Sequence, residues 1–130
     1  MERVFLDANV LFSAAYRAES RLRRLWELPA TVLSTSTYAF EEALRNLDCK
    51  EQRRRLADLV APMEMRAEQP PDRLLSLSLP EKDRPILLAA ISARASFLLT
   101  GDVTHFGPHF GHSVEGVLIL PPKDYLAAKP

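Results

Sequence analysis

Phe97-Leu98-Leu99-Thr100-Gly101-Asp102 is the stretch on which the reading of this chain turns. Three apolar residues in a row, with no polar alternation, read as a strand covered on both faces. The Thr-Gly-Asp that follows places a carboxylate just past the strand's carboxyl end. Val4-Phe5-Leu6-Asp7 has the same form near the start of the chain. Residues 31–33 and 117–120 are further apolar runs of this kind, and residues 63–66 are a weaker fifth. Between them, residues 10–16, 20–27, 37–47, 51–60 and 84–95 carry apolar positions at helical spacing. Strands alternating with helices predict an α/β fold: three layers, α/β/α, around a central parallel sheet of four to five strands.

Boundary residues support the same segmentation. Ser20 and Ser36 can cap the exposed N–H groups of the helices they precede. Asp83 can do the same for the next helix, where Pro85 costs no intrahelical bond. The run Ile86-Leu87-Leu88-Ala89-Ala90-Ile91 is apolar on nearly all sides and predicts a buried helix. Pro121-Pro122 ends the last strand, and residues 123–129 form a short terminal helix in this reading. Gln69-Pro70-Pro71-Asp72, continuing to Leu79-Pro80, reads as a surface connection within one domain spanning residues 1–130.

With 130 residues, 47% of them apolar, the chain can bury a sizeable core without disulfides. A single cysteine, Cys49, has no internal partner, which suits a reducing cytoplasm. No cationic segment followed by a long apolar stretch occurs, and no apolar run approaches a membrane span. A soluble, cytoplasmic protein without a membrane association is the expectation. Seventeen basic and seventeen acidic residues cancel, which is unhelpful to general long-range attraction of nucleic acid. The charges are nevertheless clustered. Arg21, Arg23 and Arg24 form one group, and Arg45, Lys50, Arg53, Arg54 and Arg55 another. Each can be a phosphate-binding surface or simply a solvated helix face.

In open parallel sheets, ligands bind beyond the carboxyl ends of the strands. Asp7 and Asp102 leave their strands at that edge. Two partly desolvated carboxylates in one crevice repel each other unless a cation neutralises both. Glu42, on the helix after residues 31–33, and Asp83, at a helix start, can complete the set. Oxygen donors without Cys or His suit hard cations such as Mg²⁺ or Mn²⁺. Each acid also has a plainer role open to it. Asp7 and Asp83 can be helix caps, Glu41 and Glu42 surface acids, and Asp102 a turn residue.

Taken together, these residues resemble the PIN-domain ribonucleases, the family that includes the toxins of VapBC-type pairs. Val4-Phe5-Leu6-Asp7-Ala8-Asn9-Val10-Leu11 is similar to the family's first strand, with its aspartate and following asparagine. Ser36-Thr37-Tyr38-Ala39-Phe40-Glu41-Glu42 is similar to its second segment, whose spacing selects Glu42 over Glu41. Asp83-Arg84-Pro85-Ile86-Leu87-Leu88-Ala89-Ala90 is similar to the third motif. Leu98-Leu99-Thr100-Gly101-Asp102 is similar to the fourth, which His105-Phe106-Gly107 continues. The closing Gly116-Val117-Leu118-Ile119-Leu120-Pro121 also looks typical. The resemblance spans nearly the whole chain. It implies a PIN-like fold and Mg²⁺- or Mn²⁺-dependent hydrolysis of RNA phosphodiester bonds. Asp7, Glu42, Asp83 and Asp102 would be the metal ligands, and Asn9 and Thr100 polar supports. Some relatives carry a further acid after the fourth motif. Val103-Thr104-His105 supplies none, which puts a second metal position in question. A homodimer and an antitoxin partner are further expectations from the resemblance.

Other patterns compete. His105, His109 and His112 could mark a zinc site by residue type, but Gly107, Pro108 and Gly111 interrupt any helix there. Trp26, with Leu22 and Leu25, reads as core or dimer interface before a base-stacking platform. Tyr16 and Tyr38 could approach the crevice. Cys49 has no evident activating base. Two rival functions remain: a phosphomonoesterase using Asp7 as nucleophile, and a catalytically silent PIN-fold binding module. Inorganic phosphate release would favour the first, and absence of metal binding the second.

Overall fold

The computed structural model describes residues 1–67 and 79–129. Its core is a sheet of six strands among the described residues, in the order β3-β2-β1-β4-β6-β5. These are β1 (Glu2–Leu6), β2 (Thr31–Ser36), β3 (Glu64–Arg66), β4 (Phe97–Leu99), β5 (Ser113–Val114) and β6 (Val117–Leu120). β1 to β4 and β6 pair in parallel, and β5 pairs antiparallel to β6. Burial accounts for the apolar strands: Val4, Phe5, Leu6, Leu98, Leu99 and Ile119 are fully enclosed.

The helices are α1 (Ala8–Tyr16), α2 (Thr37–Asn46), α3 (Lys50–Val60), α4 (Arg84–Ser92) and α5 (Pro122–Ala127). After β1 the chain moves outward through β2 to β3, with α1, α2 and α3 in the crossovers and packed on one another. It then returns through α4 to the other side of β1. Crossovers between parallel strands are right-handed, so this reversal carries α4 to the opposite face. The result is the expected α/β/α layering.

Three particulars differ from the sequence reading. The sheet gains β5, an antiparallel strand that the expectation of four to five parallel strands did not include. Its turn to β6 holds Glu115 and Gly116 at φ of 48° and 87°, the positive values that a tight hairpin demands. The segment expected as a helix over residues 20–27 is a 3-10 helix, Arg21–Glu27. Ser20 does cap it, its Oγ accepting from Leu22 N at 3.3 Å. Asp83 stands at the start of α4 but makes no capping hydrogen bond with its side chain. The connection expected at Gln69-Pro70-Pro71-Asp72 lies outside the described residues.

Other expectations hold. Ser36 Oγ accepts from Ala39 N at 3.1 Å, and α4 buries every residue from Pro85 to Ala90. Trp26 is partly buried against the core and donates from Nε1 to the Leu59 carbonyl at 2.8 Å. No helix among the described residues is long and apolar enough to cross a membrane.

Candidate active site

The strand order places a topological switch between β1 and β4, because the chain leaves β1 in one direction and enters β4 from the other. Crevices open at such points, beyond the carboxyl ends of the strands. Leu6 pairs with Leu99, and Asp7 N donates to the Leu99 carbonyl at 3.0 Å. The register therefore sets Asp7 beside Thr100, at the edge where Asp102 also emerges.

Asp7 is buried, and its two oxygens have separate partners. Oδ1 accepts from Ala8 N at 2.6 Å, so the plain reading of Asp7 as a helix cap is correct as far as it goes. Oδ2 accepts from the Thr100 hydroxyl at 2.8 Å and from Asn9 Nδ2 at 3.2 Å. Asn9 Nδ2 also reaches Thr100 Oγ1 at 3.2 Å, and Asn9 Oδ1 accepts from Gly101 N at 2.7 Å. Asn9 thus ties the start of α1 to the turn after β4. The backbone at Gly101 lies so close that a Cβ there would stand 3.3 Å from Asn9 Oδ1. Burial pushes the Asp7 carboxyl up to about 6. Hydrogen bonds from Thr100 and Ala8 pull it down, and the charges of Glu42 and Asp83 push it further up.

Glu42 is half-buried on α2, whereas Glu41 is exposed. Glu42 lines a cleft with Asn9, Phe12 and Asn46. Tyr38, one turn earlier, donates its hydroxyl to the Lys82 carbonyl at 3.0 Å. Burial raises the phenol's pKa, and the charges of Glu42 and Asp83 add to that. Tyr38 therefore borders the acidic crevice. Tyr16 instead packs its ring on Phe12, with centroids 5.3 Å apart.

Asp83 and Asp102 converge on a residue that sequence reasoning did not place in the site. His105 Nδ1 lies 2.9 Å from Asp83 Oδ2 and 3.1 Å from Asp102 Oδ2. Ligand atoms of these three residues fall within 4.8 Å of one another. Neither His109 nor His112 belongs to the group, so the three-histidine zinc pattern does not form. Asp102 Oδ1 accepts from His105 N at 3.0 Å, the turn role anticipated for it. Burial raises the pKa of Asp83, the His105 charge lowers it, and the Asp102 charge raises it. The signal for His105 was its position three residues after Asp102, within a turn rather than a helix.

Asp83 also tests whether these residues suit a cation. Its Oδ2 is shielded from water, and the His105 ring nitrogen lies 2.9 Å from it. The same nitrogen lies 3.1 Å from Asp102 Oδ2, so two carboxylates share one nitrogen. Two carboxylates held this close and partly out of water are costly unless positive charge offsets them. The charges of Glu42 and Asp83 push the Asp7 carboxyl up, and that of Asp102 pushes Asp83 up. The site fits a divalent ion, with His105 adding one nitrogen donor to the oxygen set.

No protein-family model matches the chain, and no curated protein does. Solved structures do match in shape. VapBC2 from Rickettsia felis, bound to a DNA fragment from its promoter, superposes with a TM-score of 0.66 at 15% identity, over 92% of this chain and 98% of that one. VapC20 from Mycobacterium tuberculosis, described as a sarcin-ricin loop cleaving toxin, gives 0.59 at 12% identity, covering 85% and 98%. FitAB bound to an IR36 DNA fragment gives 0.57 at 17% identity, covering 92% and 94%. Identities this low speak for architecture. Along nearly its whole length, this chain has the PIN-like fold of the VapC-type toxins.

Proposed function

We propose that this chain is a divalent-metal-dependent ribonuclease, the toxin half of a toxin–antitoxin pair. What supports this reading is the cluster of Asp83, Asp102 and His105, with Asp7 at the same sheet edge and within reach of the charges of Glu42 and Asp83. Asp7, Glu42, Asp83 and Asp102 would hold Mg²⁺ or Mn²⁺, with His105 beside the last two. Bound there, such an ion polarises phosphoryl oxygens and lowers the pKa of a water so that it can attack.

The chain's own groups do the positioning. Thr100 and Asn9 donate to Asp7 Oδ2 and fix that carboxylate's orientation. Gly101 lets the β4 turn close on Asn9 without a side chain in the way. Asp102 is held by its own turn, through His105 N. These contacts are made before any substrate arrives, which is how a site avoids reorganisation during reaction.

The similarity to VapBC2, VapC20 and FitAB supports the toxin reading and, with it, an antitoxin partner; a homodimer working in the cytoplasm is part of the same proposal. The test is RNA cleavage in Mn²⁺ by the wild type, Asp7→Asn and Asp102→Asn, with Mn²⁺ binding followed by calorimetry. We expect cleavage by the first and losses of at least about a hundredfold in the other two, since a primary ligand is gone. Equal rates in all three would place the chemistry elsewhere.

A further inference from the structure

A trough of two neighbouring clefts lies between Asn9 and Gly101, at the edge of the acidic crevice, and the 3-10 helix Arg21–Glu27, whose Arg21, Arg23, Arg24 and Glu27 line the outer one. A cleft of about 390 Å³ begins at Asn9 and Gly101 and continues past Leu22, Val103 and Pro121 to Lys123. A second cleft, of about 600 Å³, shares Leu22 and Lys123 and carries on to Arg21, Arg23 and Arg24. On its other side, Asn9 and Glu42 line the cleft beside α1 and α2. Shared lining residues therefore connect Glu42, through Asn9 and Lys123, to the arginines. Both clefts are as large as sites that hold small-molecule ligands.

Individual members of the two basic clusters are used differently, and Arg24 donates from Nη2 to the Lys129 carbonyl at 3.4 Å. On α3, Arg55 donates from Nε to the Ala15 carbonyl at 2.9 Å and from Nη2 to Tyr16 at 3.1 Å. Arg53 donates to the Leu47 carbonyl at 3.0 Å. Those arginines hold the ends of α1 and α2. In the trough, Arg21 and Lys123 are exposed. Arg23 Nη1 is buried, without a hydrogen-bond partner among the described residues. A desolvated guanidinium nitrogen with no acceptor is costly, and an anionic oxygen would relieve it. Between the charges the wall is apolar. Leu22, Pro121 and Pro122 form it, with Val103, which is 72% exposed, at its rim.

We propose that this trough binds an unpaired RNA strand leading away from the acidic crevice. Its phosphates would lie on Arg21, Arg23 and Lys123, and its bases against Leu22, Val103 and the prolines. A protein of zero net charge lacks a general field for nucleic acid, so a local strip must supply the attraction. An apolar wall beside a line of cations suits splayed bases on a backbone, because in a duplex the base faces are hidden. The choice of RNA as ligand rests on the ribonuclease reading.

The test uses a fluorescein-labelled single-stranded RNA of twelve nucleotides, with anisotropy read in EDTA so that metal-dependent cleavage does not enter. The trough variant is Arg21→Gln/Lys123→Gln. Both residues are exposed, so folding is not at stake. The control is Lys50→Gln/Arg54→Gln on α3, also exposed, which changes net charge equally. Arg23→Gln is measured separately, with its unfolding midpoint. We expect the trough double variant to bind at least about tenfold more weakly and its salt slope to fall by about 1.4, at roughly 0.7 per lost phosphate contact. The control should bind like the wild type. Equal affinities for the trough variant and the control overturn the proposal and leave the nuclease reading untouched. Equally tight binding of a twelve-base-pair duplex overturns the assignment to an unpaired strand. Weakened binding confined to the trough variants supports the proposal even if Mn²⁺-dependent cleavage fails, in which case the nuclease reading alone falls.

Discussion

Replacing Asp7 by asparagine should alter stability in a way that reverses with pH. Burial raises the Asp7 carboxyl from 3.8 to about 6 in the folded chain. At about 1.4 kcal/mol per pH unit, charging it in the fold costs about 3 kcal/mol more than in the unfolded chain. The folded state holds the extra proton between those two values. Wild-type stability from this group is therefore complete below about pH 4, is lost as pH rises to about 6, and does not return above that. Asparagine carries no such penalty. It can still accept from Ala8 N, but its amide would face donors at Thr100 and Asn9. Losing those two bonds costs about 1 kcal/mol each. In EDTA at pH 7 the variant should be more stable than the wild type by about 1 kcal/mol, and at pH 4 less stable by about 1–2 kcal/mol. For a chain of this length the swing amounts to roughly 10 °C in the difference between the two thermal midpoints. Calorimetric or circular-dichroism melts of both proteins from pH 4 to 7 measure it, and other titrating groups cancel in the difference. A difference that stays constant across that range would refute the claim that Asp7 is held protonated by burial.

Further outcomes follow from the same contacts. Saturating Mn²⁺ should raise the melting midpoint of the wild type and leave that of Asp7→Asn nearly unchanged, because an ion bound only to the native state adds its binding energy to stability. His105→Ala should weaken Mn²⁺ binding by about ten- to a hundredfold with a smaller effect on Mg²⁺, since nitrogen donors favour the later metal; calorimetric titrations with each ion would show it, and equal losses would argue against a direct contact. Arg55→Ala should cost about 1–3 kcal/mol in urea unfolding by freeing the Ala15 carbonyl and leaving the Tyr16 carbonyl to Gln52 alone, with RNA affinity retained once the protein is folded. Trp26→Phe should cost about 1–2 kcal/mol by leaving the Leu59 carbonyl without its donor; a neutral result would mean that water replaces the indole there.

Local chemistry made much of this molecule readable in one dimension. Runs such as 4–6, 97–99 and 117–120 have to be strands hidden on both faces, and hydroxyls at Ser20 and Ser36 have to do something with nearby N–H groups. An aspartate directly after a buried strand stands at the carboxyl edge whatever the rest does. Those inferences need only neighbours in sequence, so composition and spacing sufficed for α/β layering and for Asp7 and Asp102. Glu42 was separable from Glu41 only through the resemblance of Ser36–Glu42 to the family's second segment.

What distance along the chain concealed was decided by packing. Whether Asp83 capped its helix or turned to another partner depended on His105, twenty-two residues later, arriving beside it. The 3-10 winding of Arg21–Glu27 and the small β5 strand depend on what they pack against, since short segments have too few internal hydrogen bonds to set their own geometry. The two arginine clusters look alike in sequence. Only the fold turns Arg53, Arg55 and Arg24 to backbone carbonyls and leaves Arg21 exposed beside a cleft. A charged side chain's role is set by which opposite or polar groups come within about 3 Å, and that is a property of the tertiary structure alone.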